Sequence, residues 1–342
     1  MRAPLRAAII GAGGIAASHH EGYKTAGVEV VALCDVSEQT LATRMAQWEI
    51  GRGHTDMTEM FEQGGFDMVS IATPTAVHHP ATLAAAAAGL HVLVEKPIAL
   101  SIELADEMIG ACSRAGVVLM VNHQLRSSAP VIKARELINS GAIGKITHVR
   151  LRQGHDWGGR PSVAPTFALR ATSGGGTLLD NGCHLADLAL HLGGAVDSVY
   201  ARLATTKFDI EVEDTAHASL EYRNGSLGVI ETAWTATGWE EGFWVYGTEG
   251  ALECTNRYGP PTLRHLFRES PGGTWDTTDL AEYQFTGTGA HVRHVMAFVD
   301  AVRGDGPVVC TGEDGREAVR LILSAYASAK ANQPVPTAAT VR

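Results

Sequence analysis

Short, β-branched apolar runs alternate with amphipathic stretches over the first third of the chain. The runs are Leu5–Ile10, Val28–Cys34, Met68–Ile71, His91–Val94 and Val117–Val121. Each has strand length, and each gap between them has room for a helix. This alternation predicts βαβ units that feed a doubly wound parallel sheet. The alanine-rich stretch Ala81–Ala88 forms helix readily and Gly89 closes it as a C-terminal cap, so it predicts a crossover helix between two of those strands.

After Gly144 the texture changes to longer runs: Ile146–Gln153, Ser198–Thr205, Thr215–Tyr222, Leu227–Thr235 and Phe243–Tyr246. Turn signals such as Asn224-Gly225 and Thr248-Glu249-Gly250 join them. Asn-Gly between apolar runs is a strong hairpin signal, because the favoured two-residue turn needs φ > 0 at both central positions. The expectation is a large open, mostly antiparallel sheet flanked by helices, with late helices at Ala290–Arg303 and Glu313–Lys330. A chain of 342 residues exceeds the usual size of one core. The pattern therefore divides it into an α/β domain over 1–123 and an α+β domain over 124–342.

Composition narrows the function. With 45% hydrophobic and 19% charged residues the chain is globular. Its longest apolar run, Leu83–Leu90, falls far short of the roughly 20 residues that span a bilayer. The start, Met1-Arg-Ala-Pro-Leu-Arg, runs straight into a strand without the layout of a secretory signal. Cys34, Cys112, Cys183, Cys254 and Cys310 are scattered, with no C-x-x-C pair, which fits reduced thiols and a cytoplasmic location. A net charge of −10 disfavours binding to a phosphate backbone. No membrane and no nucleic acid are expected, which leaves a small-molecule partner.

The first strand runs into Gly11-Ala12-Gly13-Gly14-Ile15-Ala16, a G-x-G-x-x-A loop that opens a helix. Gly11 permits the tight turn, Gly13 and Gly14 let backbone approach a pyrophosphate, and Ile15 and Ala16 start the helix, with Ala16 small enough for close helix–strand packing. The helix N-terminus presents free N–H groups and a positive dipole end to the phosphates. Asp35 ends the second strand, 24 positions after Gly11, where a carboxylate accepts both ribose hydroxyls of NAD. Asp35 would repel a 2′-phosphate and no Arg directly follows it, so the sequence favours NAD and leaves NADP possible. These features describe a Rossmann dinucleotide-binding domain.

Three further segments carry a resemblance. They are Ala72-Thr73-Pro74-Thr75-Ala76-Val77-His78, Val94-Glu95-Lys96-Pro97, and Gly174-Gly175-Gly176-Thr177-Leu178-Leu179-Asp180-Asn181-Gly182-Cys183-His184-Leu185-Ala186-Asp187. In this order they resemble the glucose-fructose oxidoreductase/inositol dehydrogenase/MocA family, and the likeness spans nearly the whole chain. The resemblance implies that Thr73, Pro74 and His78 flank the nicotinamide ribose and that Glu95 contacts it. It implies that Lys96 meets the reacting oxygen, that Pro97 closes a turn, and that His184 is the general acid/base while Lys96 and Asp180 polarise and orient the substrate. The chemistry agrees, since hydride leaves an alcohol carbon only if the hydroxyl proton departs and the developing alkoxide is stabilised. Asp180 and His184 are four apart, on one helical face. Asp180 also fits a plain helix cap.

Departures from the family pattern bear on substrate. Asn122 and Arg126 follow the sixth strand, but Ser127 stands where many relatives carry an aromatic. His155, Asp156, Trp157 and Arg160 combine an aromatic plate with hydrogen-bonding groups, as sugar faces and hydroxyls require, and also fit an ordinary strand-to-loop corner. Trp234 and Trp239 fit packing as well as recognition. His184, Asp187 and His191 share a helical face, yet no third strong ligand or zinc motif accompanies them, so no metal is expected. The doublets His19-His20 and His78-His79 read as ordinary polar residues, His78 excepted through the family pattern. The reading is an NAD(P)-dependent dehydrogenase of a sugar, sugar derivative or inositol, a homo-oligomer of two or four subunits. A redox-neutral glycoside-cleaving enzyme with tightly bound NAD and a non-catalytic NAD-binding sensor are the alternatives.

Overall fold

The computed structural model describes residues 4–160, 165–267 and 279–337. They form two compact units, Met1–Ser127 with Thr288–Glu317, and Ser128–Gly287 with Ala318–Arg342. The chain therefore changes unit three times, where the sequence pattern suggests one change near residue 124.

In the first unit, strands β1 (Arg6–Ile10), β2 (Glu29–Cys34), β3 (Gly53–His54), β4 (Met68–Ile71), β5 (His91–Val94) and β6 (Leu119–Val121) form one sheet in the order β3-β2-β1-β4-β5-β6. Every pairing is parallel. That order is the doubly wound one, with its switch point between β1 and β4. Helices α1 (Ala16–Thr25), α2 (Glu38–Trp48), α3 (Met57–Gln63), α4 (Thr75–Ala87) and α5 (Ile102–Ala115) make the crossovers. Ala88 caps α4 and Gly89 follows at φ +73°, as the alanine-rich run predicts. The central strands are apolar because both their faces are covered: Ala7, Ile9, Met68 and Leu93 are fully buried.

In the second unit, helices α6 (Ala129–Asn139), α7 (Arg170–Ser173) and α8 (Thr177–Leu188) accompany a nine-stranded sheet. Its strands are β7 (Ile146–Gly154), β8 (Val196–Ala204), β9 (Thr215–Tyr222), β10 (Leu227–Ala233), β11 (Glu240–Gly247), β12 (Gly250–Thr255), β13 (Thr262–Phe267), β14 (Asp279–Gln284) and β15 (Val335–Pro336). The order is β14-β13-β12-β11-β7-β10-β9-β8-β15, and only β7 and β10 pair in parallel. Alternation sets its faces: Ala216, Ala218, Leu220 and Tyr222 of β9 are buried, while His217, Ser219 and Glu221 are exposed. Asn224-Gly225 lies in the β9–β10 turn, but only Gly225 has a positive φ (+81°), and the Gly225 N–H bonds to the Tyr222 carbonyl, so the connection differs from the two-residue turn expected of Asn-Gly.

Helices α9 (Ala290–Arg303) and α10 (Gly312–Ala331) precede β15, and the division between units falls inside α10. Val295, Phe298 and Val299 of α9 join the core of the first unit beside Ala7, Ile9 and Leu33. A side chain at Gly22 of α1 would sit 2.4 Å from Val295 Cβ, so glycine permits the close approach of α1 and α9. Among the described residues no helix is long and apolar enough to cross a membrane. All five cysteines are buried and none forms a disulfide.

Candidate active site

The glycine loop leaves the carboxyl end of β1. Gly11 stands at φ +91°, and a Cβ there would lie 2.3 Å from the Ala72 carbonyl oxygen, so only glycine fits. Gly13 and Gly14 are exposed and would meet nothing within 4 Å, which leaves open space over the start of α1. Ile15 is the residue before α1, and Ala16, fully buried, begins it. Asp35 draws the loop to the tip of β2. One carboxylate oxygen accepts the Ala12 N–H at 2.7 Å and the other the Ser37 N–H at 2.8 Å. At the end of β4, Thr73 Oγ1 is enclosed without a hydrogen-bond partner among the described residues. An open glycine cradle with a carboxylate at one end and an unsatisfied hydroxyl beside it fits a dinucleotide.

Pro74 stands at the N-terminus of α4, and His78 lies one turn inside, fully buried. Its ring nitrogens face the carbonyl oxygens of Pro97 and Thr73, each at 2.9 Å, so it ties together the loops after β4 and β5. Burial lowers the pKa of His78, against the pull of those carbonyls. The Lys96–Pro97 peptide is cis.

Glu95 is the centre of a buried polar network. Oε1 accepts from His19 Nε2 at 2.9 Å and from the Asn122 amide, and Oε2 accepts the Lys96 N–H at 3.2 Å. His19 Nδ1 meets Ser70 Oγ at 2.9 Å, and Tyr23 hydroxyl meets the same oxygen at 2.8 Å. Burial alone would raise the Glu95 carboxyl, but hydrogen bonding and charge from His19, with Asn122 and Lys96, outweigh it and hold it at about 2. His19 is thus a buried partner of Glu95 and not the ordinary polar residue that its place in a doublet suggests. His291 of α9 also feels the charges of Glu95, His19 and Lys96, and burial lowers its pKa. Local pattern marks neither histidine.

A stability prediction follows for Glu95. A carboxyl depressed from its ordinary 4.5 stabilises the fold fully above that pH and loses this contribution as pH falls toward 2. Between pH 5 and 3 the wild type should lose on the order of 1–2 kcal/mol through this group. Urea unfolding of Glu95→Gln over the same range should lack that share of the loss, and equal acid sensitivity would reject the idea.

Arg126 is buried, 3.1 Å from Asp314, and donates to the Val309 carbonyl at 3.2 Å. Its charge is neutralised within the first unit.

In the second unit Asp180 and His184 lie on α8. The cap of this helix comes from elsewhere: Glu213 Oε1 accepts the N–H groups of Gly176 and Leu178 at 3.0 and 3.1 Å and the Tyr326 hydroxyl at 2.7 Å. A side chain at Gly176 would sit 1.9 Å from the Glu213 carbonyl oxygen. Asp180 is therefore not the cap. His155 is buried, with its ring stacked between Trp157 at 4.6 Å and Trp239 at 5.1 Å, and Nε2 donates to Asn181 Oδ1 at 2.9 Å. Asn181, unmarked by the sequence, thereby joins α8 to the end of β7. Trp157 meets Phe167 edge to face, and Phe167 meets Trp234, which is wholly buried and serves packing. Asp156 and Arg160 pair with each other at the turn after β7. Among the described residues no group of three or more His, Cys, Asp or Glu could hold a metal.

Residues 5–123 match the model of an oxidoreductase family with an NAD-binding Rossmann fold, and residues 131–253 match the GFO/IDH/MocA C-terminal domain. A 1,5-anhydro-D-fructose reductase of Ensifer adhaerens is 32% identical, over 90% of this chain and 91% of its own. The chain belongs to the GFO/IDH/MocA oxidoreductase family. A myo-inositol 2-dehydrogenase of Thermotoga maritima, also similar to this family member, is 27% identical over 95% of this chain and 96% of its own. A levoglucosan dehydrogenase solved with NADH and levoglucosan superposes with a TM-score of 0.90 at 22% identity, over 98% of this chain and 100% of its own, and shows the shared fold.

Proposed function

We propose that this protein is an NAD-dependent dehydrogenase that oxidises a hydroxyl, or reduces the corresponding keto group, of a sugar, sugar derivative or inositol. The observation that carries this reading is the open glycine cradle with Asp35 at its end and the unsatisfied Thr73 hydroxyl beside it, in a chain that belongs to the GFO/IDH/MocA oxidoreductase family. NAD bound at the glycine loop supplies the hydride acceptor. Lys96 holds the negative charge that develops on the substrate oxygen, His184 exchanges its proton, and Asp180 helps to polarise and orient that oxygen. Trp157, half-buried, and Trp239, exposed, offer ring surface suited to the apolar face of a sugar.

The first unit takes the cofactor, and the second takes the substrate and mediates assembly. Incubation with NAD and a panel of sugars and cyclitols should yield reduced nicotinamide absorbance with at least one of them. Failure across the panel, with NAD bound, would overturn the substrate class. We also infer a cytoplasmic homo-oligomer, dimer or tetramer, because the nine-stranded sheet is open and its edges and outer face need cover. Light scattering at micromolar concentration should give a multiple of the 36.2 kDa chain, and a monomer mass would reject this.

A further inference from the structure

The hydrogen bonds of His19 join α1, the helix that opens from the glycine loop, to β4 and to the residue after β5. The ring is wholly buried in the first turn of α1. Nε2 meets Glu95 Oε1 at 2.9 Å, and Nδ1 meets Ser70 Oγ at 2.9 Å. Asn122, after β6, donates to the same Glu95 oxygen, and the other Glu95 oxygen accepts the Lys96 N–H at 3.2 Å. An ionised carboxylate only accepts, so donors grip Glu95 at both oxygens, and His19 supplies the one that comes from the glycine-loop helix. Tyr23, one turn further along α1 and also wholly buried, bonds to Ser70 Oγ at 2.8 Å and so fixes the far side of the imidazole.

We propose that His19 is a positioning residue for the reaction: it clamps Glu95, and through the Glu95 carboxylate it sets where the backbone of Lys96, and with it the ammonium, stands at the substrate oxygen. The proposal rests on the role given to Lys96 above. Wholly enclosed, His19 acts through Glu95 and not on the substrate. The charge of Lys96 is itself felt at Glu95, so carboxylate and ammonium are close enough to draw on one another. A reacting group misplaced by about 1 Å costs about 10²-fold in rate, which gives a clamp on the neighbouring residue leverage over turnover without any contact with substrate. The bond to Ser70 holds the ring, and the bond to Glu95 transmits its position.

The test is a double-variant cycle on the full-length protein, with NAD and a substrate found in the panel. His19→Ala should lower kcat by about 10- to 100-fold, with the substrate KM and the NAD Kd changed by less than about threefold. In a Lys96→Ala background the same substitution should cost less than about threefold more, because the clamp then has nothing to position. His19→Gln, whose amide donates to Glu95 from near the place of Nε2, should recover most of the turnover. His19→Asn, whose shorter amide meets Ser70 and falls short of Glu95, should turn over as slowly as His19→Ala. Thermal unfolding and NAD titration report the folding of each variant, and the contrast between His19→Gln and His19→Asn carries the test if His19→Ala does not fold. Wild-type turnover in His19→Asn, or a loss that multiplies fully onto that of Lys96→Ala, overturns the proposal. If Lys96→Ala itself turns over like wild type, the role of Lys96 falls and the proposal with it.

Discussion

Removing the side chain of either Lys96 or His184 is expected to lower kcat by about 10² to 10⁴, the range for one positioned acid/base or one preorganised charge. His184 is 7% exposed, and a ring so enclosed moves a proton only to a group brought against it. NAD affinity should be retained in both variants, because the proposed function assigns the pyrophosphate and adenosine to Gly11–Ala16 and Asp35. If Lys96 and His184 serve one substrate oxygen, the double variant should lose far less than the product of the single losses. Steady-state kinetics on a substrate found in the panel, beside NAD titration, reads all of this. A His184→Ala variant with near wild-type turnover would remove the proton-transfer role from His184, and multiplicative losses would separate the two residues.

Glu213→Ala is expected to destabilise the second unit by about 4 kcal/mol. The substitution strands three donors, the Gly176 and Leu178 N–H groups and the Tyr326 hydroxyl, around a site only 6% exposed at Glu213. Each buried donor left unpaired costs about 1–3 kcal/mol. Thermal unfolding should shift down by on the order of 10 °C. Glu213→Gln keeps the shape and one neutral acceptor, and should cost about 1–2 kcal/mol. Equal melting of Glu213→Ala and wild type would show that the cap is dispensable. A stable Glu213→Ala protein with lost turnover would show instead that the cap aligns Asp180 and His184.

What the sequence made legible is local. The turn at Gly11 needs a positive φ, the helix face shared by Asp180 and His184 follows from their spacing, and the parallel strands announce themselves by continuous apolar runs. What stayed hidden is long-range choice between equivalent partners. Asp180 fits a cap by local rules, yet Glu213, 37 positions after Gly176, takes that place. Arg126 looks available for substrate until Asp314 is brought against it. Asp156 and Arg160 resemble a recognition pair and satisfy each other. The strand β14 gave no signal because its residues are exposed or half-buried, so no strict alternation of apolar and polar positions marks it.

The return of Thr288–Glu317 to the first unit bears on how the protein is made. On the ribosome, residues 1–127 emerge long before Val295, Phe298 and Val299, which complete their core. At ordinary rates of synthesis the intervening stretch of about 160 residues takes roughly 10 to 30 s. Through that interval the nascent sheet has no α9 to cover it, and the apolar surface that α9 will bury is open to chaperones. In the second unit β7 to β14 follow one another along the chain, and only the edge strand β15, which pairs with β8, arrives after α9.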